Sequence, residues 1–211
     1  MRRVLLHQGS PEWHEWRKPG LGSSDAWKVL LIEPPWVREA KSTIQAELFK
    51  LWEHKTGIRP HEDLPNFAMR RGTRLEPTAR FLYETETGNH VEPACVLHDT
   101  VAFLRSSLDG LDWDDTLVVE LKAPRIEVHR AALAKEVVPY YFAQCQYQLL
   151  VTGIDLCHYV TYSENRELKE EDRLAVVDVR PDRAYQARLY DAASRFWECV
   201  EKRVPPEGCC P

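Results

Sequence analysis

The sequence predicts an α/β protein, a sheet with helices on both faces. Three observations predict it. Apolar residues recur at helical spacing through most of the first 88 residues. From His90 to Pro124 the period shortens, and Val- and Leu-rich segments are broken by turn residues. Beyond Pro124, helical segments alternate with two further strand-like ones.

Taken in order, "GSPEWHEWRKPG" reads as a short helix with Ser10 as N-cap, Pro11 in the first turn and Pro19-Gly20 as the stop. "GSSDAWKVLL" reads as a second helix capped by Ser23 or Ser24, and "PPWVRE" as a loop. In "STIQAELFKLWEHKTG", Ile44, Leu48, Leu51 and Trp52 keep helical spacing and Gly57 ends the run. "NFAMRRGTRLEPTARFLYETETG" continues as a long helix despite Gly72 and Pro77, because Met69, Leu75, Ala79, Leu82 and Tyr83 keep roughly that period, with a kink or fresh start expected at Pro77. "HVEPACVLHD", "VAFLRSSLDGLDW" and "TLVVELKAP" read as three antiparallel strands, with "WDD" at a hairpin turn. Residues 125–135 look helical. "PYYFAQCQYQLLVTG" is an apolar helix between Pro139 and Gly153. "DLCHYVTYS" and "RLAVVDVR" are two more strands, and a long helix N-capped by Asp182 closes the chain.

Composition narrows the class. The chain has 211 residues, 44% of them hydrophobic, enough for a substantial core in one domain over 1–211, mostly helical to residue 88 and sheet-containing after it. No apolar run approaches a membrane span, and "MRRVLLHQGS" lacks a signal peptide's apolar core, so a soluble, cytoplasmic protein with no membrane partner is expected. The six cysteines form no CxxC pair, which argues against a zinc ribbon or iron–sulfur cluster, and reduced thiols are expected. A net charge of −5 argues against a surface coated uniformly for nucleic acid. It leaves room for a local basic patch: "MRRGTR", with Lys122, Arg125 and Arg130.

The chemistry concentrates in "LRSSLDGLDWDDTLVVELKAP". Glu120 and Lys122 are two apart, so on a strand both point to one face. Asp109 comes from the neighbouring strand. Two readings are open for the residues alone. One is a hairpin carrying a surface ion pair. The other is a site in which two carboxylates hold one or two Mg²⁺ ions and the ammonium places a water and offsets charge on a phosphate. Val118, Val119 and Leu121 favour the second, because unpaired charge is costly on a buried strand. Gly110 lets a backbone or ion come close, and Pro124 ends the strand just past the lysine.

"SLDG…VVELKAP" resembles the core of the PD-(D/E)xK nucleases, and more narrowly that of the lambda-exonuclease/YqaJ viral recombinase family. Three further segments are similar to that family in the same order. They are "PEWHEWR…GSSDA", with a serine seven residues after the arginine; "RRGTRLEPTAR"; and the glutamine-bearing "YYFAQCQYQLLVTG". The likeness spans about Glu12 to Gly153. It departs at Leu108, where the motif's name has proline.

The resemblance implies a mixed central sheet flanked by helices and a metal-dependent deoxyribonuclease. Asp109, Glu120 and the backbone carbonyl of Leu121 would ligate Mg²⁺, or Mn²⁺ in its place, in a two-metal site. Lys122 would be the catalytic lysine, with Glu76 near the metals directly or through water. Arg17, Ser24 and Gln144 would form a pocket for a DNA 5′-phosphate, and Met69 a wedge that splits the duplex end. Read without the resemblance, Arg17 pairs with Glu15 and Ser24 caps a helix. Trp13 and Trp16 read as packing residues, and His14, His90, His98, His129 and His158 as surface or structural. The implied activity is 5′-3′ digestion of one strand of double-stranded DNA from 5′-phosphorylated ends, leaving a 3′ overhang for a single-strand annealing protein. The implied assembly is a homotrimeric ring. Two other functions fit the core: a structure-specific or restriction-type endonuclease, and a non-catalytic module that binds DNA ends.

Overall fold

A six-stranded sheet carries the molecule, in the spatial order β1 (Arg2–Val4), β2 (Val91–Leu97), β3 (Arg105–Asp112), β4 (Val118–Lys122), β5 (Cys157–Tyr162) and β6 (Leu174–Val179). The computed structural model describes residues 1–30, 43–59 and 67–209. Neighbouring strands are antiparallel except β4 and β5, which run parallel. The sheet is therefore mixed. Helices α5 (Ile126–Leu133) and α6 (Pro139–Thr152) supply the long crossover that a parallel pair requires. The "WDD" hairpin forms as expected: the Asp112 carboxylate accepts the amides of Thr116 at 2.8 Å and Leu117 at 2.9 Å.

Local signals account for several other elements. α1 (Pro11–Arg17) starts where Ser10 Oγ accepts the Trp13 amide at 3.2 Å. α6 ends at Gly153, whose φ of 74° favours glycine. α7 (Arg183–Glu201) starts where Asp182 accepts the Tyr185 amide at 2.9 Å.

Two expectations are corrected, and one strand is added. β1 was not legible as a strand: it has three residues, too few to show a period. Neither Ser23 nor Ser24 is a cap. Gly22 holds that position before a 3-10 turn, Ser23–Asp25, that leads into α2 (Ala26–Leu30), and the Asp25 carboxylate accepts the Gly22 amide at 3.3 Å. α4 (Phe67–Thr87) continues past Gly72 and Pro77 as the long helix expected of this stretch. Leu75 before the proline and Ala79 and Tyr83 after it lie buried on one stripe, and that packing outweighs the lost backbone bond. The thiols are not all free: Cys95, Cys145 and Cys157 are, but Cys199 is disulfide-bonded. The "PPWVRE" loop and the side chains of Ile44 and Met69 lie outside the described residues.

The two sheet faces carry separate cores. Val118, Cys157 and Tyr159 pack with α2, α3 (Thr43–Lys55), α6 and α7 through Val29, Trp52, Leu149 and Phe196. Val119, Leu121 and Val160 pack against α4 through Leu75, Ala79 and Tyr83. Along β4 this alternation turns Glu120 and Lys122 toward α6.

A bulge lies at the heart of the sheet. From Glu92 to Ala94 β2 advances two residues while β3 advances three, from Leu111 to Leu108, so the extra residue falls at Asp109–Gly110. Gly110 lets the neighbouring strands pack closely here. A Cβ there would lie 2.7 Å from Val91 Cγ2 and 3.0 Å from Val119 Cβ. Gly110→Ala is expected to destabilise the fold by about 1–3 kcal/mol through overpacking. A denaturant midpoint equal to that of the parent protein would show that the strands yield there at no cost.

Candidate active site

Asp109, Glu120 and Lys122 converge. The register opposes β3 and β4 so that Gly110 faces Val119, which sets Asp109 across from Glu120. Asp109 Oδ2 accepts the Leu121 amide at 2.9 Å and lies 3.6 Å from Lys122 Nζ. Lys122 forms a short ion pair with Glu120. Glu120 is fully buried. Gln144 donates to its Oε1 at 2.6 Å, and Gln148 donates to its Oε2. Lys122 Nζ also lies 5.7 Å from the Tyr141 ring centroid.

The electrostatics follow from two carboxylates sharing one ammonium. Burial and the charge of Asp109 push Glu120 up to about 7, against the pull of Lys122. Burial draws the Lys122 ammonium down, but Glu120 and Asp109 outweigh it and hold the group well above its usual range. Glu76, on α4, is raised by burial and then by Asp109, so it senses the same negative charge. It pairs with Arg80 at 2.8 Å, and Arg80 also donates to the Asp109 carbonyl at 2.6 Å. Glu76, Asp109 and Lys122 line one groove of about 1070 Å³ with Tyr140 and Tyr141.

The oxygen donors suit a hard divalent cation. Among the described residues, no three His, Cys, Asp or Glu side chains are grouped to hold a metal. Protein ligation would therefore rest on two carboxylates and a backbone carbonyl, with the remaining positions left to water or substrate.

Arg17, Ser24 and Gln144 line a second, smaller cavity of about 180 Å³ that reaches Asp109. The segment bearing the first two docks directly on the sheet. Leu21 donates to Phe103 O at 2.7 Å and accepts from the Arg105 amide at 3.2 Å. Gly20 permits this approach, since a Cβ there would fall 2.1 Å from Arg105 Nε. Arg17 does not pair with Glu15, which engages Lys18. Its guanidinium lies 4.5 Å from the Trp13 ring centroid, and Trp13 Nε1 donates to Ser107 Oγ at 2.8 Å. Trp13 thus packs, as expected, and its packing places Arg17.

Residue-level reading missed several neighbours. Ser106, Ser107, Arg105 and Trp16 line the same small cavity. Ser106 Oγ, Arg105 Nε and Trp16 Nε1 are buried with no hydrogen-bond partner among the described residues. Gln148 is buried and holds Glu120, and Gln146 is buried and bonded to Arg180 O and the Asp182 amide. The i,i+4 spacing of Glu76 and Arg80 was an available signal. His129 is structural, buried between Thr161 Oγ and Asp172 O at 2.8 Å each.

The chain matches the YqaJ-like viral recombinase domain over residues 12–155. The chain belongs to that family. The YqaJ-like stretch takes in α1 through α6 and every site residue above, and stops just short of β5. Among solved structures, the chain is similar to an alkaline exonuclease from Laribacter hongkongensis, with 27% identity, a TM-score of 0.75, and coverage of 92% of this chain and 94% of that one. A structure of the same exonuclease in complex with dAMP matches equally well. A phage-related exonuclease from Haemophilus somnus shares the fold at 13% identity and a TM-score of 0.63, over 87% of this chain and 96% of that one. No curated protein matches. The YqaJ-like chain thus has the PD-(D/E)xK-type fold of phage-type exonucleases. Among the described residues, no helix is long and apolar enough to cross a membrane.

Proposed function

We propose that the protein is a Mg²⁺-dependent exonuclease that digests one strand of double-stranded DNA in the 5′-3′ direction from 5′-phosphorylated ends. One observation carries the reading: the cavity with Arg17, Ser24 and Gln144 meets the groove with Lys122 at a shared wall, Asp109. An anion pocket beside two carboxylates and an ammonium suits a strand held by its end and cut one linkage away. Kinship with an alkaline exonuclease supports the same class.

In this reading Arg17 and Ser24 take the terminal phosphate. Gln144 bridges the two regions: one amide hydrogen goes to Glu120, and the other is left for the phosphate. Asp109, Glu120 and the Leu121 carbonyl would hold the metals, with Glu76 acting directly or through water. When bound, Mg²⁺ neutralises charge on the phosphoryl oxygens and makes the attacking water more acidic. Lys122 orients that water and meets the charge that develops on the phosphate. Met69, near the start of α4, is assigned the duplex-splitting wedge. The 3′ overhang so produced would serve a single-strand annealing protein.

The deciding experiment is digestion of end-labelled linear duplex with 5′-phosphate or 5′-hydroxyl ends, beside a closed circle. Preferential loss of the 5′-phosphorylated strand supports the reading, and cleavage of the circle at a similar rate points to an endonuclease. Arg17→Ala is expected to erase most of the preference for 5′-phosphate, worth roughly 2–4 kcal/mol for a charged contact of this kind. Rates on 5′-hydroxyl ends should change much less. Equal loss on both ends would remove Arg17 from the phosphate pocket.

A ring of three copies around DNA is the assembly we propose, on the family resemblance. It would let an acidic exterior coexist with a basic channel, given the net charge of −5. Light scattering is expected to return three times the 24.6 kDa chain mass. A monomer at working concentration refutes the ring.

A further inference from the structure

Resting on the exonuclease reading, we infer that Arg71 and Arg125 bind the backbone phosphates of the digested strand on the 3′ side of the cut. The order of groups along the surface carries this. The anion cavity and the catalytic groove share Asp109, so a strand anchored by its 5′ end in the first passes Asp109 and Lys122 on entering the second. Arg71 and Arg125 line that groove, and both also line a further cavity of about 490 Å³ with Ser163 and Asn165. These two arginines therefore mark the way out of the groove.

Their surroundings suit a phosphate backbone. Arg71 Nη1 donates to the Pro124 carbonyl at 3.2 Å, which ties it to the segment that follows Lys122. The Arg125 side chain is exposed and has no hydrogen bond or ion pair among the described residues. Glu127 lines both spaces too, so the two guanidiniums leave a positive excess of one charge among these three groups. The neighbouring acid Glu164 is occupied by Arg74 at 2.6 Å. Phosphate contacts of this kind orient a strand without reading its sequence.

The test is single-turnover digestion of 5′-phosphorylated duplexes carrying neutral methylphosphonate linkages. These are placed either just 3′ of the first scissile bond in the digested strand or at the facing positions of the retained strand. Arg125→Ala and Arg71→Ala are each expected to weaken substrate binding about 10-fold. Each should also flatten the salt dependence by about one phosphate contact, with the 5′-phosphate preference kept. Neutral linkages in the digested strand should weaken the parent protein and add nothing further to Arg125→Ala, and Arg125→Lys should recover much of the binding. If the neutral linkages weaken Arg125→Ala as much as the parent, or act only from the retained strand, the inference is overturned while the exonuclease reading stands. A parent protein that cuts closed circles as readily as linear ends overturns both.

Discussion

Excess chelator is expected to abolish strand digestion, and Mg²⁺ or Mn²⁺ to restore it. The reason lies in the charge balance of the site. Glu120 is completely buried beside Asp109, and among the described residues Lys122 is the cation that pairs with both carboxylates. Burial, and then the charge of Asp109, push Glu120 up, so added positive charge would favour its ionised form. A hard divalent cation supplies that charge through oxygen ligands. Ca²⁺ should bind but support little hydrolysis, because it is larger and accepts looser geometry. A second readout is independent of activity: the melting temperature should rise with Mg²⁺ in the parent protein and stay flat in Asp109→Asn, since a ligand bound only by the folded state stabilises it. Full digestion in excess chelator would sink the metal assignment.

Lys122→Ala is expected to leave DNA binding largely intact and cut turnover by on the order of 10² or more, the scale seen when an electrostatic contact to a transition state is lost. The substitution also strips Glu120 of its cation. Gln144 and Gln148 still donate to that carboxylate, and burial favours its neutral form, so part of the stability cost is absorbed. Lys122→Met keeps most of the side-chain volume and separates packing from charge. Measured turnover within a few-fold of the parent in a folded Lys122→Met protein would remove the lysine from the chemistry. So would a Lys122→Ala variant that fails to fold while Glu120→Gln remains active.

The Asp109, Glu120 and Lys122 cluster was legible because strand periodicity is local: a two-residue spacing places Glu120 and Lys122 on one face whatever the rest of the chain does. Caps and stops were legible for the same reason, as at Ser10, Gly153 and Asp182, where a side chain or a left-handed φ answers to its immediate neighbours. The small cavity was different. Gln144 lies more than a hundred residues from Arg17 and Ser24, and no period links it to them. Only a likeness to known sequences suggested their meeting, and residue reasoning favoured a surface pair with Glu15 and a cap at Ser24.

Tertiary packing decided the rest. The parallel pairing of β4 with β5 and the packing of Gly110 between Val91 and Val119 both depend on what lies opposite, which no stretch of sequence states by itself. Gln148 is the plainest case. It is a polar residue on an apolar helix, and it gains a function only because α6 lies against the face of β4 that carries Glu120. By itself the sequence determined the class of fold and the acid–lysine core, through periods and caps that act over a few residues. Which side chains complete that core was decided by packing, because hydrogen bonds between distant segments form only once the hydrophobic faces of sheet and helices have met.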